Sequence, residues 1–205
     1  MIFEIAGLFI VVRKPEIADL PVLSRWLASE LYCTNMGGMP GMSEQFYHEQ
    51  ACAMLQANAN DRSDKIVYLV FDRFTQQAVA LSLLSQIDWK NRHAEHSYLV
   101  GEESYRSKLV AGDLNMVMNN YFFSQLNLNK IYSFIFDFNQ AALRLTGFGG
   151  SAEGILKQHR RYNGVAMDVH VYSITSREFS EFVHQHATGL LRKHIHYGLL
   201  PAPAC

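Results

Sequence analysis

Short apolar runs and helically spaced apolar residues follow one another along the chain and predict a mixture of strands and helices. The apolar runs are shorter than ordinary helices and are bounded by polar or turn-forming residues, which is typical of strands. We predict strands at residues 5–14, 65–71, 77–88, 94–101, 129–137, 153–162 and 165–175. Helical spacing predicts helices at residues 22–32, 43–59, 114–128 and 141–145, with loops at 33–42 and 104–113.

The C-terminal half carries the clearest local signals. Asn163 and Gly164 join two strand-like runs, and this pair favours a type I′ hairpin because both central residues need a positive φ. Upstream, Asn139 follows a predicted strand, and the short helical run after it stops at a glycine-rich stretch. Residues 129–175 are therefore predicted to form a strand, a short helix and a two-stranded hairpin.

Length and composition narrow the class of protein. The 205 residues suffice for one domain with a substantial core. A hydrophobic content of 49%, a charged content of 18% and a net charge of -1 argue against binding to nucleic acid or to an anionic membrane. The apolar start, residues 1–12, contains Glu4 and is too short to cross a bilayer, so we interpret it as a strand.

Cysteine and histidine positions give no sign of a disulfide framework or of a metal site. The three cysteines lack ligand spacing, which favours a reducing, cytoplasmic setting. The tail contains His184 and His186, which are two residues apart and so do not face each other on a helix. We predict no bound metal.

The segment 129–175 resembles the GNAT superfamily of acyl-CoA N-acyltransferases. The similarity is greatest to the branch that holds ribosomal-protein N-terminal acetyltransferases and amino-sugar-nucleotide N-acetyltransferases. The matching residues are Asn139, Arg144, Leu145, Glu153, Gly154, Leu156, Asn163, Gly164, Asp168, Val169, Tyr172 and Ser173. The resemblance extends over residues 9–182.

The resemblance implies an α/β fold with a mixed, mostly antiparallel sheet flanked by helices. A V-shaped splay should separate the fourth and fifth strands, which are the runs at 94–101 and 129–137. We assign residues 1–182 to the acyltransferase-like domain. Residues 183–205 are expected to form a C-terminal helix and tail that pack on the domain or on a partner.

In this family the splay exposes backbone groups that bind the pantetheine arm of the acyl donor. A glycine-rich turn at the next helix N-terminus holds the CoA pyrophosphate. Here Ser107 and Leu109 occupy the positions of the two loop glycines, and Ser104 that of the usual Gln or Arg. The loop could bind CoA through other N–H groups, with charge from Arg106 and Lys108. Alternatively, the donor is an acyl carrier protein, or donor binding has been lost.

The resemblance assigns residues to three roles. The residues assigned to donor binding are Leu99, Val100, Arg106, Ser107, Lys108, Leu109, Val110, Ala111, Asn139 and Arg144. Asn139 can also act as a helix N-cap, and the two roles are compatible. Acceptor binding falls to Met36 and Met39 in a pliable Met-rich loop and to His159 and His170 beside the hairpin, where cross-strand pairing explains the histidines equally well.

Acyl transfer to an amine needs a group that removes the amine proton and a way to protonate the leaving thiolate. Glu95 matches the family's base, and His96 follows it; neighbours on a strand point to opposite faces, so at most one can face the cleft directly. Thr146 stands where many relatives carry a Tyr acid, which leaves Tyr98, Tyr172, a water or unassisted thiolate departure.

These observations predict an N-acyltransferase that moves an acetyl or short acyl group from acetyl-CoA, or from an acyl carrier protein, to a primary amine. The expected acceptor is an amino sugar nucleotide or a small metabolite. Two alternatives stay open: a GNAT-fold binding or scaffold protein without catalysis, and a protein N-terminal acetyltransferase. A homodimer is also left open.

Overall fold

The computed structural model describes residues 4–58, 63–106, 108–145 and 149–185, without the side chains of Lys108 and Leu145. Its strands are β1 Glu4–Ala6, β2 Ile10–Arg13, β3 Ile66–Asp72, β4 Ala78–Asp88, β5 His93–Val100, β6 Lys130–Phe136, β7 Ser151–Tyr162 and β8 Val165–Thr175. Its α-helices are α1 Leu20–Leu27, α2 Glu30–Met36, α3 Glu44–Ala57, α4 Lys108–Ser124, α5 Gln140–Leu145 and α6 Ser176–Gln185. Short 3-10 turns span Ile17–Asp19 and Glu103–Tyr105.

The strands of these ranges form one sheet in the order β1-β2-β3-β4-β5-β6-β8-β7. Every neighbouring pair is antiparallel except β5 and β6, which run parallel. The predicted fold class, a mixed and mostly antiparallel sheet flanked by helices, is confirmed. The parallel pair marks the place where the chain crosses over through α4.

Helices cover both faces of the sheet, and each face has its own core. Helices α4 and α6 contribute Phe122 and Phe179 to the core on one face. Helices α1 and α3 contribute Trp26 and Met54 to the core on the other face. Because β3 lies between the two cores, six successive residues from Ile66 to Phe71 are buried, which explains its continuously apolar sequence.

The predicted first strand is in fact two strands, so the splayed strands are β5 and β6 in the structure. The chain turns at Gly7, where an added Cβ would lie 2.7 Å from the carboxylate of Asp113. That carboxylate accepts hydrogen bonds from the backbone N–H groups of Leu8 (3.1 Å) and Phe9 (2.7 Å). A residue distant in sequence therefore divides the apolar run.

Three predicted boundaries were wrong. The helix predicted at 22–32 breaks at Ser29, whose side chain caps α2 by accepting from Tyr32 N at 3.2 Å. The predicted loop at 33–42 begins inside α2, which ends at Gly37 with a left-handed φ of 75°. The third error concerns α4, which begins at Lys108, within the predicted loop. The predicted hairpin is confirmed, with φ values of 47° at Asn163 and 79° at Gly164.

The C-terminal end of the described chain packs on the domain. Phe179 and Val183 of α6 are buried in the same core as α4. Residues 186–205, which include most of the expected tail, lie outside the described residues. No helix within the described ranges combines the length and apolar character needed to cross a membrane.

Candidate active site

The functional cleft begins where β5 and β6 stop pairing. The two strands pair only at His93–Glu95 and Lys130–Tyr132, although both strands continue beyond these residues. At the end of the paired part, the Ser133 hydroxyl donates a hydrogen bond to the His96 carbonyl oxygen at 2.7 Å. The remainder of the two strands diverges and leaves the predicted opening.

Packing against α1 holds the far end of β5 in place. An added Cβ on Gly101 would lie 2.3 Å from the Trp26 ring, so only glycine permits this close approach. The Trp26 indole N–H donates to the Glu102 carboxylate at 2.9 Å, and Arg25 pairs with the same carboxylate. These contacts fix the residues after β5 against α1.

The opening is a cleft of about 720 Å³. It passes between the two strands and is bounded by residues of α2, α4, α5 and β8. Its wall residues include Asn35, Met36, Tyr98, Leu99, Val100, Arg106, Ala111, Asn115, Asn119, Ser133, Phe134, Asn139, Arg144 and Tyr172. Of the predicted donor-binding residues, Leu99, Val100, Arg106, Ala111, Asn139 and Arg144 therefore lie on the cleft.

Backbone groups of β5 face this cleft. The His96 carbonyl accepts from Ser133, and the Val100 carbonyl accepts from Arg106 Nε at 3.3 Å, so both point away from β4. Alternate residues of a strand direct their N–H and C=O groups to the same edge. Tyr98 lies between these two residues, and its backbone N–H and C=O therefore point into the gap.

The donor end of the cleft lies at the start of α4. Leu109 stands in the first turn of this helix with its side chain 54% exposed. Val110 is buried in the core and does not line the cleft, whereas Ala111 does. The Arg106 guanidinium folds back onto the carbonyl oxygens of Val100 and Gly101, each at 3.3 Å. Ser107 lies outside the described residues.

Asn139 caps the short helix α5. Its Oδ1 atom accepts a hydrogen bond from Ala142 N at 3.1 Å, while the residue also lines the cleft. This arrangement is consistent with both roles expected for Asn139. The exposed Arg144 lies on the same helix and reaches the cleft.

A smaller pocket of about 50 Å³ adjoins the cleft on the α2 side of the sheet. Asn35, Met36, Ser97 and Phe134 line both spaces, so the two are adjacent. Glu95 lies in this smaller pocket and is partly buried. Burial raises the pKa of the Glu95 carboxyl, and the charge of Arg160 acts in the opposite direction. The outcome is a carboxylate whose affinity for a proton is higher than usual.

His96 points to the opposite face of β5. Its side chain is 4% exposed, packs on Phe122 with ring centroids 5.0 Å apart, and has Nε2 within 3.0 Å of the Ser82 hydroxyl. Complete burial lowers the pKa of His96 to about 4. The imidazole is therefore neutral at physiological pH and is enclosed by the α4 core.

Tyr98 lies on the same face of β5 as His96, and both residues line the cleft. The Asn115 amide donates a hydrogen bond to the Tyr98 hydroxyl oxygen at 3.0 Å. Because the hydroxyl oxygen accepts this bond, its own hydrogen remains available for a group in the cleft. Burial raises the pKa of Tyr98, with Asn115 acting against this effect. The phenol is therefore protonated at neutral pH.

The four predicted acceptor residues occupy different places. Met36 lines both the cleft and the small pocket, whereas Met39 lines neither and is 61% exposed. The His159 ring lies 6.4 Å from that of Phe134, which lines the small pocket, but His159 itself does not line it. His170 stacks on Tyr172 with centroids 6.5 Å apart, on the face opposite Glu95. Of the four, Met36 is the one that lines the pocket of Glu95.

Sequence reasoning missed Arg160, Asn115 and Ser133. Asn115 could have been found from the helical spacing of Ala111, Asn115 and Asn119, had the helix been predicted to begin at Lys108. Nothing local identifies Ser133, because its role depends on where β5 and β6 separate. Arg160 was missed because its position beside Glu95 depends on the packing of elements that are distant in sequence.

A cleft between two splayed parallel strands, next to a carboxylate with a raised pKa, defines the class of acyl-transfer enzymes with this fold. The model of the acetyltransferase (GNAT) domain family matches residues 12–171 of the chain. The chain belongs to this family, and it is a GNAT-type N-acetyltransferase.

Two relatives agree with this assignment. The uncharacterized N-acetyltransferase YoaA of Bacillus subtilis (strain 168) is 32% identical over 129 residues, which are 62% of this chain and 72% of the relative. The uncharacterized N-acetyltransferase p20 of Bacillus licheniformis is 22% identical over 169 residues, covering 82% of this chain and 93% of the relative.

Among solved structures, the spermidine N-acetyltransferase of Vibrio cholerae in complex with CoA and spermine superposes with a TM-score of 0.73. The two are 23% identical, and the match covers 83% of this chain and 97% of the other. At this identity the similarity concerns the fold.

Proposed function

We propose that the chain transfers an acetyl group from acetyl-CoA to a primary amine, with Glu95 as the base. One observation carries the proposal: β5 and β6 part after three paired residues, and the resulting cleft shares wall residues with the pocket that holds Glu95. An unpaired strand edge is costly unless a ligand or water satisfies it. The pantetheine arm, with its two amides, is such a ligand.

The thioester would lie with its carbonyl beside Tyr98. The backbone N–H of Tyr98 faces the gap and can donate to the carbonyl oxygen as negative charge develops there. Asn119 adds an amide to the α4 wall, and no side-chain hydrogen bond occupies it within the described ranges. Arg106 and Arg144 supply positive charge for the phosphate end of the donor.

Glu95 would accept the proton of the attacking amine. The amine nitrogen forms a bond to the thioester carbon, its proton passes to the Glu95 carboxylate, and the carbon–sulfur bond breaks as the tetrahedral intermediate collapses. A carboxylate with a raised pKa is a stronger base than an ordinary one, because burial increases its affinity for a proton. His96 also lines the larger cleft, but its side chain is 4% exposed and packs in the α4 core.

Tyr98 would protonate the departing thiolate. Its hydroxyl lines the cleft and is oriented by Asn115, so its hydrogen is free to be donated. The Tyr98 hydroxyl thereby takes the place of the Tyr that relatives carry where this chain has Thr146. Tyr172 lines the same cleft and is the second candidate.

A carrier-protein donor is the second candidate for the donor site. It is favoured by the exposed Leu109 in the first turn of α4, where the family pattern has glycine close to the CoA pyrophosphate. A phosphopantetheine arm carries a single phosphodiester and does not need that contact. The exposed Leu109 agrees equally with a scaffold protein without catalysis, but that alternative does not explain the pocket around Glu95.

The acceptor predicted from the sequence, an amino sugar nucleotide, stays a proposal that rests on the resemblance of residues 153–175. A protein N-terminus is the alternative from the same branch. The spermidine N-acetyltransferase fold adds a polyamine as a third candidate.

Thermal unfolding with acetyl-CoA, CoA and 4′-phosphopantetheine tests the donor site. A ligand that binds only the folded chain raises the Tm by mass action, and a concentration of 100 times Kd contributes about 2.7 kcal/mol. We expect a larger rise with acetyl-CoA than with 4′-phosphopantetheine at equal concentration. An equal rise with both would favour the carrier protein, and no rise at millimolar ligand would contradict the proposal.

A further inference from the structure

The register of the Asn163-Gly164 hairpin places Arg160 in the pocket of Glu95. Leu156 pairs with Val169, and Arg160 pairs with Met167, so four steps along β7 correspond to only two along β8. Tyr162 pairs with Val165 and Arg161 with Ala166, so the pairing of Arg160 with Met167 continues the regular register of the hairpin. Residues that pair directly share a face of the sheet, and Met167 shares its face with Val169, which lines the Glu95 pocket. The two extra residues lie before Arg160 and shift only the first part of β7.

A specific contact holds the bulge. Gln158 takes a left-handed φ of 52°, and its backbone N–H donates to the Asp168 carboxylate at 2.7 Å. Gly37, at the end of α2, gives Arg160 its space: an added Cβ there would lie 3.5 Å from Arg160 Nη1. Two separate parts of the chain thus converge on the position of this guanidinium.

Arg160 has no fixed partner among the described residues. Arg160 is exposed and makes no hydrogen bond or close ion pair with the described residues. Its interaction with Glu95 is a longer-range electrostatic one. The nearby acidic side chains are already engaged, since Asp168 accepts from Gln158 and Glu153 pairs with Lys130. A guanidinium in a pocket without a partner is a ready site for a carboxylate or phosphate.

We propose that Arg160 binds an anionic group of the acceptor, so that the substrate is an amine that also carries a carboxylate or a phosphate. The inference rests on the proposed function, because it places the acceptor amine at Glu95. Both side chains line one pocket of about 50 Å³, so the amine and the anion must lie within a few bonds of each other.

The same charges act against a polyamine. Two further cationic residues, Lys157 and Arg161, lie on the same strand as Arg160. Among the described residues that line the pocket, Glu95 is the one acidic side chain. A second ammonium group of a polyamine would approach Arg160 and be repelled. The aromatic pocket wall of Phe134 and Phe136 instead suits an uncharged part of the acceptor.

Matched pairs of acceptors test the proposal with the full chain and acetyl-CoA. O-Phosphoethanolamine and ethanolamine test the phosphate, phenylalanine and phenylalanine amide test the carboxylate, and spermidine tests the polycation. The variant is Arg160→Gln. Arg161→Gln is the control, because it removes the same charge from the same strand at a residue that donates to Gly164 O and does not line the pocket.

We expect Arg160→Gln to raise KM about tenfold or more for the anionic member of at least one pair and less than about twofold for its neutral partner. Comparing each variant with the wild type cancels differences in amine basicity. The pair that responds identifies the anion. Equal losses for both members, a preference for spermidine, or an equal effect of Arg161→Gln would overturn the proposal.

A measurement of CoA thiol release distinguishes a failure of the Arg160 proposal from a failure of the proposed function. Acetyl transfer without any dependence on the anion would contradict only the role of Arg160. Release of no CoA with any of the five amines, despite a folded chain, would overturn both. The Tm of each variant shows whether the chain is folded.

Discussion

The two faces of β5 carry adjacent titratable residues with opposite properties. Glu95 is partly buried beside a pocket and its pKa is raised, whereas His96 is enclosed and its pKa is lowered to about 4. One physical cause produces both shifts, because burial disfavours the charged form of either group. The difference in access, rather than the direction of the shift, separates a candidate base from a core residue.

Removing the Glu95 carboxylate should have the largest effect. We expect Glu95→Gln to lower kcat about 100- to 1,000-fold, since a positioned base contributes about that much to proton transfer. The wild-type kcat/KM should fall at acidic pH as Glu95 becomes protonated, and its raised pKa moves this limb upward from the ordinary carboxyl range. Steady-state assays from pH 4.5 to 9 measure both effects.

Glu49→Gln is the matched control for this prediction. Glu49 is an exposed carboxylate on α3 that accepts from Gln45 at 2.9 Å, and a glutamine carbonyl can still accept that bond. Its kcat should equal that of the wild type. Unchanged turnover of Glu95→Gln at saturating acetyl-CoA would exclude Glu95 as the base.

His96 should act on stability instead. Its folded pKa of about 4 lies below the value of about 6.5 in the unfolded chain, so only the unfolded chain gains the proton between these values. The contribution of His96 to the free energy of unfolding is therefore constant above about pH 6.5. It falls as the pH is lowered to 4, by about 3 kcal/mol in total.

Urea unfolding at pH 7, 5.5 and 4.5 measures this contribution. The difference between the wild type and His96→Gln isolates it from the titration of carboxylates. His184→Gln serves as a control, since His184 is exposed on α6. If His96→Gln lost stability with falling pH as steeply as the wild type, burial of a neutral His96 would not be the cause.

Tyr98 should have the smallest effect of the three residues. We expect Tyr98→Phe to lower kcat about tenfold, because a thiol with a pKa near 8.5 departs readily and needs little help from an acid. Tyr172→Phe removes the other hydroxyl that lines the cleft. A larger loss in Tyr172→Phe than in Tyr98→Phe would transfer the role of acid to Tyr172.

Local sequence predicted the elements but not all of their ends. The Asn163-Gly164 hairpin was predictable because type I′ turns depend on two adjacent residues with positive φ. The break at Gly7 was not, because it depends on Asp113, more than a hundred residues away. The start of α4 at Lys108 was missed because a serine- and lysine-containing segment carries no strong helix signal.

The candidate site, too, was predictable from the sequence only in part. The alternation of side chains along β5 established from the sequence that Glu95 and His96 face opposite sides, and the resemblance to GNAT enzymes selected this strand. Which side holds the pocket, where β5 leaves β6, and how the β7–β8 hairpin comes to bring Arg160 to the pocket of Glu95 were decided by the tertiary structure. Side-chain periodicity is a property of one strand, whereas register and separation arise only between strands that are distant in sequence.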